Sequence, residues 1–277
     1  MGRRLPILAL VLLLAVAVLG TAPPASGQVS GVEAKTWAKK IARIGPRPAG
    51  GKNERKAGEI VRNRLDALGY RVRTQHFRLP NGKRSRNVVA KTPGPTKIVI
   101  VAHIDGVHGT PAANDNASGV GVLLTISAPL AEKDGVLVAA LGAEERIVTG
   151  SSWHLGSRRL TRSFSPEEKE TVRLALSIDM VGVGPTLNIR GLETSPNRSA
   201  RKLLRAATKL GIRATYLRDT GQSDHDDLTR GGIPAAWIEW RWDTCWHLPC
   251  DTVSRLEPRK LRAAGRVVLT AARAVRT

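Results

Sequence analysis

Residues 97–102, KIVIVA, form a short unbroken apolar run, the pattern of a strand buried on both faces. Helical and strand patterns alternate on either side of it. Amphipathic helices are predicted over 29–43 and 53–68, the second ended by Gly69. Strands follow over 70–79 and 87–91, with Pro80-Asn81-Gly82 as the turn between them. Beyond the central run, the pattern predicts a helix over 118–130, a strand over 136–141 and a short helix over 150–157. A strand over 174–179, a helix over 199–210, a strand over 235–238 and a closing basic helix over 257–275 complete the series. Such alternation specifies an α/β fold whose sheet is largely parallel and covered by helices on both sides. No internal repeat, low-complexity tract or linker interrupts it, so residues 28–277 read as one domain. With 42% hydrophobic and 24% charged residues, the chain can build a full core.

Residues 1–27 are set apart from that core. Arg3 and Arg4 precede an apolar run over 5–19, and the helix-breaking TAPPASG follows, with Ala25-Ser26-Gly27 as a cleavage site before Gln28. This is the arrangement of a secretory signal peptide. The rival reading, an uncleaved membrane anchor, has to contend with a run shorter than the roughly 20 residues of a spanning helix. The cysteines are Cys245 and Cys250, flanking His247. In an exported protein they most simply form a disulfide that staples one loop. A cysteine-containing zinc site is the competitor, but no further Cys or His stands at finger-like spacing. The net charge of +21 implies non-specific attraction to anionic cell-surface polymers. The basic residues are scattered over helical stretches without interleaved aromatics, so no specific nucleic-acid partner is expected.

The chemistry sits where the predicted strands end. His103 follows KIVIVA, Glu144 and Glu145 follow VLVAALGA, and Asp179 ends LALSID. Ligands of open α/β sheets gather beyond the carboxyl ends of strands, so three strands point to one edge. Asp115 lies in ANDNASG just before a predicted helix, and His247 in WHLPCD. Two imidazoles and three carboxylates, with a spare carboxylate at Glu144, suit a pair of zinc ions and a water-activating base. Asp105, two residues beyond His103, is placed to accept the second imidazole N–H. Each segment alone has a plainer reading: a surface histidine, an N-cap at Asn116 or Ser118, a solvated acidic helix start. Asp179 is the exception, because a charge ending a buried strand needs a partner. Asp251 has two readings, orienting His247 or capping the following turn. Of the four tryptophans in WIEWRWDTCW, Trp237 alternates with apolar residues as core does, whereas Trp242 and Trp246 are candidates for a substrate pocket.

Taken in order, AHIDG, NDNASG, GAEE, IDMVG, SDH followed by GIPA, and H-x-P-x-D resemble the di-zinc aminopeptidase family that includes secreted bacterial leucine-type aminopeptidases. The likeness runs over residues 31–256. It implies a three-layer α/β/α sandwich with a mixed, mostly parallel sheet. It also implies that His103, Asp115 and Asp179 hold one zinc, that Asp115, Glu145 and His247 hold the other, and that Glu144 is the general base. Asp105 would orient His103. The substrates would be peptide or protein N-termini. Where some relatives carry a Tyr beside the last ligand, this chain has Trp246, whose indole N–H donates a hydrogen bond but is no acid. Ser223-Asp224-His225 is placed near the site or the substrate rather than as a further ligand. Two alternatives stand beside this reading: a glutaminyl cyclase with one zinc and acyl-transfer chemistry, and a non-catalytic basic binding module on the same fold.

Overall fold

The structure, a computed structural model, describes residues 28–146 and 153–276. Residues 1–27, where a signal peptide is expected, and the start of the helix predicted over 150–157 lie outside the described residues. Two helices, α1 (Gly31–Ala42) and α2 (Lys52–Ala67), open the fold. The Ser30 hydroxyl accepts from Glu33 N and so starts α1 at a defined residue. A hairpin of β1 (Arg71–Arg78) and β2 (Arg84–Lys91) follows, its turn at Pro80-Asn81-Gly82 as predicted. Next come β3 (Ile98–His103), α3 (Gly119–Leu130), β4 (Val136–Leu141), α4 (Leu155–Thr161), α5 (Pro166–Thr171) and β5 (Leu174–Ile178). The chain closes through β6 (Thr186–Gly191), α6 (Arg198–Lys209), β7 (Thr215–Arg218), α7 (His225–Arg230), β8 (Ala236–Arg241) and α8 (Pro258–Arg273).

The eight strands form one mixed sheet in the order β1-β2-β4-β3-β5-β8-β6-β7. Its centre, β4-β3-β5-β8, is parallel, and antiparallel pairs join the β1–β2 hairpin at one side and β6 at the other. The KIVIVA strand lies near the middle and is buried on both faces. Its alternate residues feed two cores. Ile98, Ile100 and Ala102 pack with α1, α2, α3, α6 and α8, whereas Val99 and Val101 pack with Leu160 of α4 and Leu228 of α7. Helices thus cover both faces of the sheet, the three-layer arrangement expected. Four short elements were not anticipated: α5, β6, β7 and α7.

Candidate metal centre

The parallel strands β3, β4 and β5 end side by side, because Ile98 to His103 pairs in register with Val136 to Leu141 and β3 also pairs with β5. His103 is the last residue of β3, Glu144 and Glu145 lie just past β4, and Asp179 directly follows β5. Asp115 comes from the kinked turn Ala113–Ser118 that leads into α3, where the backbone of Asp115 and Asn116 is non-helical and Asn116 Oδ1 accepts from Gly119 N at 2.8 Å. His247 comes from the loop after β8, which the Cys245–Cys250 disulfide closes. All six side chains converge, and all but His247 are buried.

Asp115 organises the group. Its Oδ1 lies 3.1 Å from His103 Nε2, and its Oδ2 lies 3.2 Å from His247 Nε2. Asp179 Oδ1 is 3.4 Å from His103 Nε2, and Glu145 Oε1 is 3.0 Å from His247 Nε2. Two clusters result, His103 with Asp179 and Glu144, and Asp115 with Glu145 and His247, each gathering its donor atoms within 4.8 Å. Donors 2.0–2.2 Å from a tetrahedral zinc stand roughly 3.3–3.6 Å apart, close to these separations.

The donor set fits divalent cations on other grounds too. His103 Nε2 and Asp179 Oδ1 are buried without a hydrogen-bond partner, which is costly unless something else satisfies them. Burial pushes the Glu144 carboxyl well above the usual range, and Glu145, Asp224 and Asp179 add to the effect against the opposing pull of His103. Burial and then Asp115 push Glu145 up to about 7, although the His247 hydrogen bond opposes them. Burial works against the charged form of His247, yet its bonds to Asp115 and Glu145 lift it to about 10. Burial likewise opposes ionisation of Asp115, but the two imidazoles outweigh it and hold the carboxyl below its ordinary value. So many carboxylates in one buried space repel one another, and cations reverse that repulsion.

A second tier of residues holds these donors. Asp105 lies 3.6 Å from His103 Nδ1, long for a hydrogen bond, and its two oxygens accept from Glu144 N and Glu145 N at 3.1 Å each. It therefore ties the end of β3 to the Glu144–Glu145 loop as well as facing the imidazole. Asp251 neither orients His247 nor merely caps a turn: it accepts from Asn114 N at 2.7 Å and Asp115 N at 3.0 Å. Ser223 Oγ donates to Asp179 Oδ2 at 2.8 Å, whereas His225 Nε2 lies 3.0 Å from Asp219 Oδ2, so within Ser223-Asp224-His225 it is Ser223 that touches a candidate ligand and His225 faces a different carboxylate. Arg47, fully buried, donates to the carbonyls of Ile104, Pro111 and Ala112 and braces the turn below Asp115. His154 was missed from the sequence. Its Nε2 lies 3.2 Å from Glu144 Oε1 and its Nδ1 3.9 Å from carboxylate oxygens of Asp226 and Asp227.

A cavity of about 600 Å³ opens onto Asp115, Glu144, Glu145, Asp179 and His247. Trp242 and Trp246 line it and are 68% and 49% exposed. The Trp246 ring also covers His247, centroid to centroid 4.2 Å. Trp237 is buried core, as its periodicity implied, yet one side of it reaches the cavity, and Trp153 lines it as well. Arg190 and Glu239, 3.2 Å apart and both buried, also line it.

The model of the family described as Peptidase family M28 matches residues 87–272. Aminopeptidase YwaD of Bacillus subtilis is 29% identical over 194 residues, covering 64% of this chain and 40% of that protein. The chain thus spans less than half the length of that curated relative. Among solved structures, a zinc aminopeptidase from Bacillus subtilis superposes with a TM-score of 0.81 at 18% identity, covering 88% of this chain and 94% of that one. A Porphyromonas gingivalis glutaminyl cyclase gives 0.77 at 24% identity, covering 89% and 99%. At these identities the superpositions establish the shared fold.

Proposed function

Because the chain belongs to Peptidase family M28, we propose that it is a zinc-dependent aminopeptidase, its catalytic domain spanning residues 28–277, which removes N-terminal residues from peptides. The observation that carries this reading is the placement of Asp115, with one carboxylate oxygen beside each histidine. His103, Asp179 and one oxygen of Asp115 would hold one zinc; the other oxygen, Glu145 and His247 would hold a second. Bound there, zinc supplies Lewis-acid polarisation of the scissile carbonyl and acidifies a water molecule.

The chain's own residues do the rest. Glu144 reaches the same space from the side facing His154 and is the base: its carboxylate takes a proton from the attacking water and delivers it to the leaving amine. Asp105 holds the Glu144 backbone in place through the bond to its N–H. The aromatic walls at Trp153, Trp242 and Trp246 limit water and offer an apolar surface to the first side chain of the substrate. The acidic centre favours a free α-amine. A glutaminyl cyclase with one zinc would have use for only one of the two donor sets gathered here. Export, with cleavage near Gly27, belongs to the same reading. Among the described residues no helix is long and apolar enough to cross a membrane.

Glu144→Gln tests the role of the base. The variant should keep its zinc and lose turnover of an unblocked aminoacyl substrate, and N-terminal blocking should abolish cleavage by the parent protein. Turnover at the parental rate in the variant, or cleavage of blocked peptides, would overturn the proposal.

A further inference from the structure

On the β1–β2 hairpin, cross-strand pairing sets basic side chains against one another. His76 stands opposite Arg86, and Arg78 opposite Arg84. Opposed residues on one face of an antiparallel pair lie about 4.5–5.5 Å apart at Cβ, and like charges in that position destabilise the sheet. His76, Arg84 and Arg86 join Arg55 of α2 and Lys83 of the turn around a separate concavity of about 430 Å³. None of Arg55, Lys83, Arg84 and Arg86 has an ion-pair partner among the described residues. The carboxyl that acts on Arg86, Glu54, is committed elsewhere, to Ser85 Oγ at 2.5 Å and Gly50 N at 2.8 Å.

The concavity is built and not only a run of surface charge. Gly50 lines it with φ at +73°, and a Cβ there would stand 3.0 Å from Lys83 Cβ and 2.9 Å from Leu79 Cδ1. That close approach locks the hairpin tip against the loop preceding α2, so the cations of two elements are held facing each other. The lining has no acidic residue, whereas the metal-centre cavity contains seven, among them Asp226, Glu239 and Asp243. The two cavities therefore have opposite character. Guanidinium groups match the oxygen spacing of phosphate and sulfate, and several around one hollow favour a ligand with more than one oxyanion.

From this juxtaposition we propose that Arg55, Lys83, Arg84 and Arg86 form a binding site for a multiply charged phosphate or sulfate anion, distinct from the metal centre. The site does not depend on the peptidase reading. It would localise the protein on anionic polymers through defined contacts, beyond the diffuse attraction of a basic surface.

The test is isothermal titration of the zinc-loaded protein with tripolyphosphate and, separately, a sulfated tetrasaccharide, at ~150 mM salt so that diffuse attraction is screened. At least one should bind, and the tighter of the two identifies the source chemistry. Lys83 and Arg84 are exposed, so the double variant Lys83→Gln, Arg84→Gln should fold normally and bind at least about tenfold more weakly. A control of equal charge loss, Arg205→Gln with Lys209→Gln on exposed positions of α6, should bind within about twofold of the parent. Absence of binding to both probes, or equal weakening in the two double variants, would overturn the site.

Discussion

His154 Nε2 stands 3.2 Å from Glu144 Oε1, and both side chains are buried. The other ring nitrogen faces Asp226 and Asp227 at the start of α7. His154 is thus a positioning residue between the proposed base and an acidic helix start. His154→Ala should lower kcat about tenfold to a hundredfold while zinc content and KM change little. Steady-state kinetics with metal analysis checks this, and an unchanged kcat contradicts it.

Ser223 reaches the centre through Asp179. Removing the hydroxyl in Ser223→Ala leaves Asp179 Oδ2 without its donor. Zinc affinity should fall about tenfold to a hundredfold, the usual effect of losing an outer partner of a ligand. Ser223→Thr, which keeps a hydroxyl, should restore most of it. Chelator competition provides the readout, and equal affinities for Ser and Ala forms would remove Ser223 from the site.

The closed loop that carries His247 is short, so its disulfide contributes only about 2 kcal/mol to global stability through loop closure. Its larger effect is local. In Cys245→Ser with Cys250→Ser, the melting temperature should drop by a few degrees, while one zinc per chain becomes about tenfold easier to strip. Retention of both ions at parental affinity would show that the staple does not position His247.

How far the site could be read from sequence follows the reach of each residue's partners. His103 and Asp179 stand out because each ends an apolar run whose burial can be read directly from KIVIVA or LALSI. Arg47 does not, because its three acceptors lie about sixty residues away and a lone arginine in a Gly- and Pro-rich loop looks solvated. Asp251 suggests a local role beside His247 but instead holds backbone N–H groups 136 and 137 residues earlier. His154 falls inside the helix predicted over 150–157, where nothing in the pattern marks it, and its significance appears only once Glu144 is folded against it. Strand β6 was overlooked because Asn188 and Arg190 interrupt its apolar pattern, and both are buried in a strand that lies between β8 and β7. Strand β7 is four residues long and half exposed at the sheet edge.

Glu54 gives the fold a pH dependence. Burial, and then the charge on Asp105, push its carboxyl up to about 8 from an ordinary value of 4.5. The folded protein therefore prefers the protonated form. That contribution to stability is complete below about pH 4.5 and is lost as pH rises through about 8. Glu54→Gln keeps a neutral group there, so its stability relative to the parent should improve by on the order of 4 kcal/mol from pH 4.5 to 9. Denaturant unfolding across that range checks the effect, and a pH-independent difference contradicts it.

Asp115, with one oxygen beside each histidine, is the centre of the proposed two-zinc site, and counting metal tests that proposal most directly. Native mass spectrometry of the zinc-saturated protein should find two ions per chain in the parent and at most one in Asp115→Ala. A parent that takes up a single ion, or an Asp115→Ala variant that still holds two, would contradict it.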